Sequence, residues 1–391
     1  MIYVGIDVAK DKHDCFITNS DGEILFDSFT FTNTKDGFDD LYQKIQSITT
    51  NLSTVKVGLE ATGHYSYNLL GYVFNKGLAA YVINPLHTNL YKKSLSLRKT
   101  KTDKIDARTI ATMLMSDINL KPYSEISYHN EDLKSLTRYR FNKVNERAKL
   151  KISVTRLVTI LFPELDKLVP TLHLKSVYAM LYEYPTSEAL SRAHLTHLTK
   201  LLEASSHGRY SKEVALRFRD AAKNSIGSHI PAKALELKHT INLIRELDSE
   251  INEIEKEIKI LMDKINSPIL TIPGISYRMG AMIIAEIGDF NKYDSSDKLL
   301  AYSGLSPFIY QSGKINSSHS HMEKRGSKYL RYALYNATKY VCCWEPTFSA
   351  YLAKKRAEGK HYNVAISHAA KKLIRVIYHL EKTQQPFVSS K

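Results

Sequence analysis

Residues 2–31 read Ile2-Tyr-Val-Gly-Ile6-Asp7-Val-Ala-Lys-Asp-Lys-His-Asp14-Cys15-Phe-Ile-Thr18-Asn-Ser-Asp21-Gly22-Glu-Ile24-Leu-Phe-Asp-Ser-Phe-Thr-Phe31. Ile2–Ile6 is apolar and β-branched, as a strand requires. Polar Asp7–Asp14 leads into a second strand, Cys15–Thr18. Asp21-Gly22 marks a hairpin turn before a third, Ile24–Phe31. Residues 36–48 have helical spacing, with Phe38, Leu41 and Ile45 on one face. Val55–Leu59 is a short apolar strand that ends at Glu60. A helix from about Tyr65 to Asn75 stops at Lys76-Gly77, and Ala79–Ile83 is a further strand ending at Asn84-Pro85. The order is three strands, helix, strand, helix, strand, then helices.

Three antiparallel strands followed by alternating helix and strand predict an α/β, ribonuclease-H-like N-terminal domain. In that topology the first and fourth strands are neighbours, so Asp7 and Glu60 end side by side. Asp103 and Asp106 lie in Lys101-Thr-Asp-Lys-Ile-Asp-Ala-Arg108, where a helical run begins, and their i, i+3 spacing puts both on one face. A helix packed on the sheet can aim them at the same point. Four carboxylates there repel one another unless cations neutralise them. Two Mg²⁺ ions about 4 Å apart do so, and clamp the attacking and leaving oxygens of a phosphodiester. Taken singly, Asp7 could cap a turn, Glu60 could begin a loop, and Asp103 could cap a helix.

The remainder reads as all-α. Between Glu131 and Leu161 the pattern is helical and basic, with Lys134, Arg138, Arg140, Lys143, Arg147, Lys149, Lys151 and Arg156 against Glu146 between Lys134 and Arg156. Such a helix needs a counter-charge, and phosphate contact is favoured over a solvated face. Residues 232–266 carry a heptad, with Leu237, Ile244, Ile251, Ile258 and Ile265 at a, and Leu247, Ile254 and Leu261 at d. It predicts a coiled coil, paired within the chain, with the basic helix, or between chains; the residue types lean towards a dimer. After Ser267-Pro268 the composition changes. Leu270–Asp289 resembles a helix-hairpin-helix, whose turn at Gly274 would present backbone N–H groups to a DNA phosphate. The plain alternative is a hairpin that only packs. Pro307–Ser320 is a polar interruption holding Ser312, ordinarily a turn residue before Gly313. Nearby Lys314, Lys324, Arg325 and Arg331 could bind phosphate or be ordinary surface. The tail after Glu381 reads as disordered, and residues 187–227 carry little signal. The expected domains are 1–125, a helical basic and coiled-coil region 126–266, and a helical C-terminal domain 267–391.

Composition bounds the partners. The chain has 391 residues, 43% hydrophobic and 24% charged, as in a soluble globular protein. Lys and Arg number 55 against 40 acids, a net charge of +15, and the pI is about 9.4. That surplus argues for a polyanionic partner, nucleic acid first. Cys15, Cys342 and Cys343 suit neither a disulfide framework nor a zinc ribbon. The chain opens without a signal-peptide pattern and has no run of 18 uncharged apolar residues, so a reduced, cytosolic protein without membrane contact is expected.

Several short motifs occur in order over nearly the whole chain: Ile-Asp7-Val-Ala-Lys, Leu-Glu60-Ala-Thr-Gly-His, Val-Ile-Asn-Pro, Lys-Thr-Asp103-x-x-Asp106-Ala-Arg, Ile-Pro-Gly-Ile, Ala-Tyr-Ser-Gly-Leu-x-Pro, Tyr-Gln-Ser312-Gly and Lys-Arg-Gly-Ser-x-x-Leu-Arg. As a set they resemble the transposases of the insertion-sequence one-hundred-and-ten family. That resemblance implies a site-specific DNA recombinase with a RuvC-like domain, a coiled-coil middle and a C-terminal serine domain. Asp7, Glu60, Asp103 and Asp106 then match the Mg²⁺-binding tetrad, and Ser312 matches the nucleophile that forms a phosphoserine. The implied partners are donor and target DNA, a non-coding bridge RNA that pairs with both, and further copies of the chain in a dimer or tetramer with composite sites. The setting is the bacterial cytoplasm, at the nucleoid. Lys101, Arg108, Lys134, Arg138, Arg140, Lys143, Arg147, Gly274, Lys314, Lys324, Arg325 and Arg331 are the expected nucleic-acid contacts. The rivals are a hydrolytic RuvC-like nuclease or junction resolvase, in which water attacks and Ser312 is structural; an actin-like or sugar-kinase ATPase, disfavoured because Asp7 is followed by Val8-Ala9-Lys10 rather than a glycine-rich phosphate turn; and a non-enzymatic nucleic-acid-binding protein, which leaves the tetrad unexplained.

Overall fold

A computed structural model describes residues 1–60, 64–95, 103–116, 120–123, 130–306, 311–312, 315–316, 322–324 and 326–389; the side chains of residues 95, 103, 311, 312, 315 and 316 are not among those described. Two compact units are formed, Met1–Asn130 and Glu131–Lys391.

The first unit is built on a sheet of β1 (Ile2–Val8), β2 (Lys12–Asn19), β3 (Ile24–Thr32), β4 (Val55–Glu60) and β5 (Ala79–Ile83), in the order β3-β2-β1-β4-β5. β1 pairs antiparallel with β2 and parallel with β4, so the first and fourth strands are neighbours, as the predicted topology requires. β2 starts earlier than its apolar stretch suggests. His13 and Asp14 read as loop residues, yet each is buried: His13 lies against the Phe31 and Phe38 rings, and Asp14 accepts from Thr30.

Alternation sends every second side chain to the same face of the sheet. Val4, Ile6, Cys15, Ile17, Val57 and Leu59 pack with Leu41 and Ile45 of α1 (Lys35–Ile48) and with Leu69 and Val73 of α2 (Ser66–Asn75). The other face carries Tyr3, Gly5, Phe16, Gly58 and Tyr81. On it lies α4 (Asp103–Ser116), which follows α3 (Pro85–Leu95). Gly5 and Gly58 are register partners and leave a furrow there. A methyl group on Gly5 would sit 2.2 Å from the Ala107 carbonyl oxygen, and one on Gly58 would sit 2.6 Å from Leu114 Cδ1. No larger residue lets the helix lie this close.

The second unit is helical. Its first helices are α5 (Glu131–Leu161), α6 (Leu165–Leu168), α7 (Lys175–Glu183), α8 (Ser187–Ser191), α9 (Leu195–Ser206) and α10 (Lys212–Lys223). α11 (Pro231–Ile265) then runs 35 residues back along α5. The cross-pairs Arg140–Glu255, Lys143–Glu250, Arg147–Asp248 and Arg156–Glu236 fall in opposite order along the two helices, so the hairpin is antiparallel. Leu237, Ile244, Leu247, Ile251, Ile254 and Ile258 are buried in the chain itself, while Ile265, the last heptad position, is exposed. A separate core fills each end of the hairpin. One gathers Val154–Ile244, and the other joins Leu133 and Ile254–Met262 to the C-terminal helices.

Beyond α11, residues Pro268–Thr271 form one 3₁₀ turn where a helix-hairpin-helix would have a helix. The C-terminal helices are α12 (Tyr277–Ile287), α13 (Ser296–Tyr302), α14 (Lys328–Trp344), α15 (Pro346–Ala357) and α16 (Tyr362–Thr383), with a two-strand ribbon of β6 (Gln311–Ser312) and β7 (Ile315–Asn316) inside the polar interruption. Gly274 has φ 92°, and a methyl group there would sit 2.6 Å from the Tyr340 carbonyl carbon. The turn is thus seated on the α14 backbone, as a packing hairpin would be. Where disorder is expected after Glu381, the described residues up to Ser389 pack back on the domain. The Phe387 N–H donates to Thr271 Oγ1 at 2.7 Å, Ser389 Oγ lies 3.0 Å from Glu345 Oε1, and the Phe387 ring joins the core. Among the described residues no helix is long and apolar enough to cross a membrane.

Candidate active site

The alternation that places Gly5 and Gly58 under α4 also places Asp7 and Glu60 on that face, two residues further along each strand. α4 runs down the sheet against β1. Leu114 and Ile110 meet Tyr3, and Ala107 and Ala111 meet Gly5. The same progression carries the first turn of α4, with Asp103 and Asp106, towards the strand ends where Asp7 and Glu60 lie. Acids in a helix first turn are favoured by the unpaired N–H groups there.

Asp106 is buried. Its Oδ1 accepts no hydrogen bond of good geometry, but the Lys92 ammonium of α3 lies 2.5 Å away as an ion pair. A second link, Tyr91 Oη to Ser116 Oγ at 2.8 Å, ties α3 to the other end of α4. The helix thus offers a buried carboxylate oxygen already paired with a cationic side chain. Oxygen donors of this kind are those a hard divalent ion takes. Among the described residues, no three His, Cys, Asp or Glu side chains are grouped closely enough to hold a metal ion. The Asp103 side chain is not described.

One further acid on this face lies outside the motifs quoted above. Asp14 is the register partner of Asp7 across the β1–β2 ladder, so both side chains leave the sheet on the same side. It is buried and accepts from Thr30 Oγ1 at 2.7 Å. Starting the second strand at Lys12 and counting back from the Asp21-Gly22 turn would have found it.

Comparison with known proteins decides the family. A family model described as Transposase matches residues 4–163, and one described as Transposase IS116/IS110/IS902 family matches residues 266–353. The chain belongs to the IS110 family of transposases. It is 25% identical to the 44.8 kDa protein of insertion element IS116 from Streptomyces clavuligerus over 99% of this chain and 96% of that one. It is also 25% identical to the pilin gene-inverting protein of Moraxella lacunata, over 98% and 97%. The solved structure of Thermus thermophilus RuvC aligns over 32% of the chain and 100% of its own length, at 14% identity and a TM-score of 0.24. The family's activity is the cutting and rejoining of DNA.

In this transposase six of the eight bases on the basic helix find an acid inside the chain. Lys134 pairs with Glu131, Arg138 with Glu286, Arg140 with Glu255, Lys143 with Glu250, Arg147 with Asp248 and Arg156 with Glu236. The hydrogen bond to Glu250 pushes the Lys143 ammonium up to about 12. Self-repulsion therefore no longer argues for phosphate on this helix. Arg138 is the most deeply engaged: Nε and Nη2 donate to Glu286 at 2.6 and 2.9 Å, and Ser327 Oγ donates to the same carboxylate at 2.6 Å.

The remaining candidates are scattered. Arg108 is exposed on α4, with its guanidinium 5.5 Å from the Phe16 ring centre. Ser312 sits in the ribbon, paired with Ile315. Lys324 is exposed with φ 55°, and its N–H donates to the Gly304 carbonyl at 3.2 Å. Arg331 Nη1 lies 3.4 Å from the Ser303 carbonyl. Lys101, Lys314 and Arg325 fall outside the described residues.

Proposed function

We propose that this transposase recombines DNA through a phosphoserine intermediate made by Ser312, with Asp7, Glu60, Asp103 and Asp106 as its cation-binding carboxylates. Asp7, Glu60 and the first turn of α4 lie on one face at one end of the sheet, and that arrangement carries the reading. Asp14, beside Asp7, holds its strand end through Thr30 and adds negative charge. Divalent cations held by the four acids would supply the positive charge that stabilises a phosphoryl transition state.

In the exchange, Ser312 Oγ bonds to the phosphorus of the scissile phosphodiester as its proton leaves to a base. The bond to the departing deoxyribose 3′ oxygen breaks, and that oxygen takes up a proton. The cut end stays on the protein as a phosphoserine ester, and a free 3′-hydroxyl later reverses the step. One ester replaces another, so no ATP is consumed. Lys314, Lys324, Arg325 and Arg331 are placed in sequence to offset the charge that builds on the phosphate. We further propose that an element-encoded bridge RNA pairs with donor and target DNA and selects them, and that the working particle is a homo-oligomer.

A suicide DNA substrate that halts the exchange tests the serine. Wild-type protein should accumulate a covalent protein–DNA adduct under denaturing conditions. Ser312→Ala should lose adduct and recombination while still binding DNA. Cutting without any adduct, or recombination by Ser312→Ala, would replace the serine mechanism with hydrolysis by a RuvC-like nuclease. In the same assay, recombination that survives ribonuclease treatment without added RNA would remove the guide and leave the recombinase standing.

A further inference from the structure

The exposed face of α14 carries Tyr332, Asn336, Tyr340 and Trp344 at successive i, i+4 positions, one ridge of the helix. Tyr332 is 40% exposed, Tyr340 58% and Trp344 70%. The Tyr332 ring also packs edge-on against Phe141, 4.9 Å between ring centres; Tyr340 and Trp344 stand further out, and large exposed rings side by side on one ridge mark a ligand surface. Beside Tyr332 and Tyr340 lies a cavity of about 360 Å³, bounded by Arg140, Gly274 and Arg278. The close seating of Gly274 on Tyr340 brings the start of α12, and so Arg278, alongside the ridge.

The charge of this surface selects the occupant. α14 contains Lys328, Arg331 and Lys339 and no acid. Arg140 and Arg278 share one carboxylate, Glu255, at 2.6 and 3.5 Å; the second contact is loose, and Arg278 is half exposed. Two guanidinium groups against one carboxylate leave a surplus positive charge at the mouth of an aromatic cleft. Stacking planes flanked by cations are what an unpaired nucleotide strand binds: the rings take the bases, and the guanidinium groups take the backbone.

We propose that the ridge Tyr332–Asn336–Tyr340–Trp344, with Arg140 and Arg278, is a stacking site for an unpaired segment of DNA. The inference rests on the family's action on DNA, the cutting and rejoining of strands. It is independent of the serine chemistry. A second copy of the chain is the competing occupant, but a face with a surplus of positive charge does not complement itself.

Trp344 is the sole tryptophan of the chain, so the site carries its own reporter. Titrating the full-length protein with a short oligothymidylate should quench tryptophan emission, and raising the salt should reverse the quench. With a labelled oligonucleotide followed by anisotropy, Trp344→Ala and Tyr340→Ala should each weaken binding roughly 5- to 100-fold. Trp344→Phe, which keeps a ring, should bind within a few-fold of wild type. Both positions are exposed, so an unchanged melting temperature confirms that each variant is folded. Wild-type affinity in both alanine variants would overturn the site, as would equal affinity for a duplex of the same length. An oligouridylate that binds more tightly than the oligothymidylate would overturn the assignment to DNA. Trp344 emission that shifts with protein concentration alone would give the face to a second copy.

Discussion

The two units treat charge in opposite ways. At one end of the first unit's sheet, Asp7, Asp14 and Glu60 leave the same face, and α4 brings Asp106 towards them. Along the hairpin of the second unit, a base on α5 meets an acid on α11 at four places in register. Gathered like charge destabilises a fold; matched charge is close to neutral, since partly exposed pairs each contribute about 0–1 kcal/mol. The hairpin can therefore be built for shape alone, its apolar seam supplying stability and its ion pairs fixing the register. At the sheet end the close fit of α4 on Gly5 and Gly58 brings the acids towards one another, and Asp106 there is already paired with Lys92. Under the proposed reading the acids of the first unit form the reacting centre, and most ion pairs of the hairpin belong to the frame.

The largest expected effect sharpens that contrast. Asp7→Asn should lower DNA cutting by about 10²-fold or more, because it removes a charged group from the reacting centre. The same change keeps the size and shape of the side chain. Measured without divalent cations, its melting temperature should stay within a few degrees of wild type. Wild-type cutting by Asp7→Asn, or a large loss of stability, would make Asp7 a structural acid and erase the difference between the units.

Arg138→Ala should act the other way round. The Glu286 side chain is 1% exposed, and losing Arg138 strands its carboxylate with Ser327. The cost should be about 3 kcal/mol, read from denaturant unfolding. Glu286→Gln on the same background should recover much of it, because the orphaned charge is gone. Nucleic-acid affinity and its salt dependence should change little. A drop in affinity with unchanged stability would return α5 to the role of a phosphate-binding surface.

The sequence already made much of this legible. Alternation and turn residues placed the strands of the first unit within a few residues, because local rules govern them. Asp7 and Glu60 could be read from where apolar runs stop. The i, i+3 spacing of Asp103 and Asp106 could be read from one helical turn. Asp14 was hidden because His13 and Asp14 look like loop residues until β3 supplies Phe31 and Thr30 as their partners. The fate of the basic helix was hidden for a different reason: Arg140 and Glu255, or Arg138 and Glu286, are more than a hundred residues apart, and charge arithmetic along one helix has no knowledge of the helix packed beside it. The Gly274 turn kept its reading as a turn but not its neighbour, since the approach of Tyr340 comes from a distant helix.

The smallest effect bears on Lys92, whose ammonium sits 2.5 Å from buried Asp106. If the acids form a cation site, this lysine occupies part of it, and a divalent ion must displace it to reach the Asp106 oxygen. Lys92→Met should then do two things. Without divalent cations it should lower stability by about 1–2 kcal/mol, the penalty of leaving a buried carboxylate without its partner. With millimolar Mg²⁺ the gap to wild type should close, because a ligand that binds only the folded state stabilises in proportion to its affinity, and the variant binds without a competitor. Direct titration with Mn²⁺, followed by its paramagnetic resonance signal, should show tighter binding in Lys92→Met than in wild type and weaker binding in Asp106→Asn. A stability gap that stays the same with and without the ion would make Lys92 a brace between α3 and α4, acting with the Tyr91–Ser116 hydrogen bond. If Mn²⁺ failed to bind even wild-type protein, the cation reading of the carboxylates would fall, and the gathered acids would need another explanation than a metal.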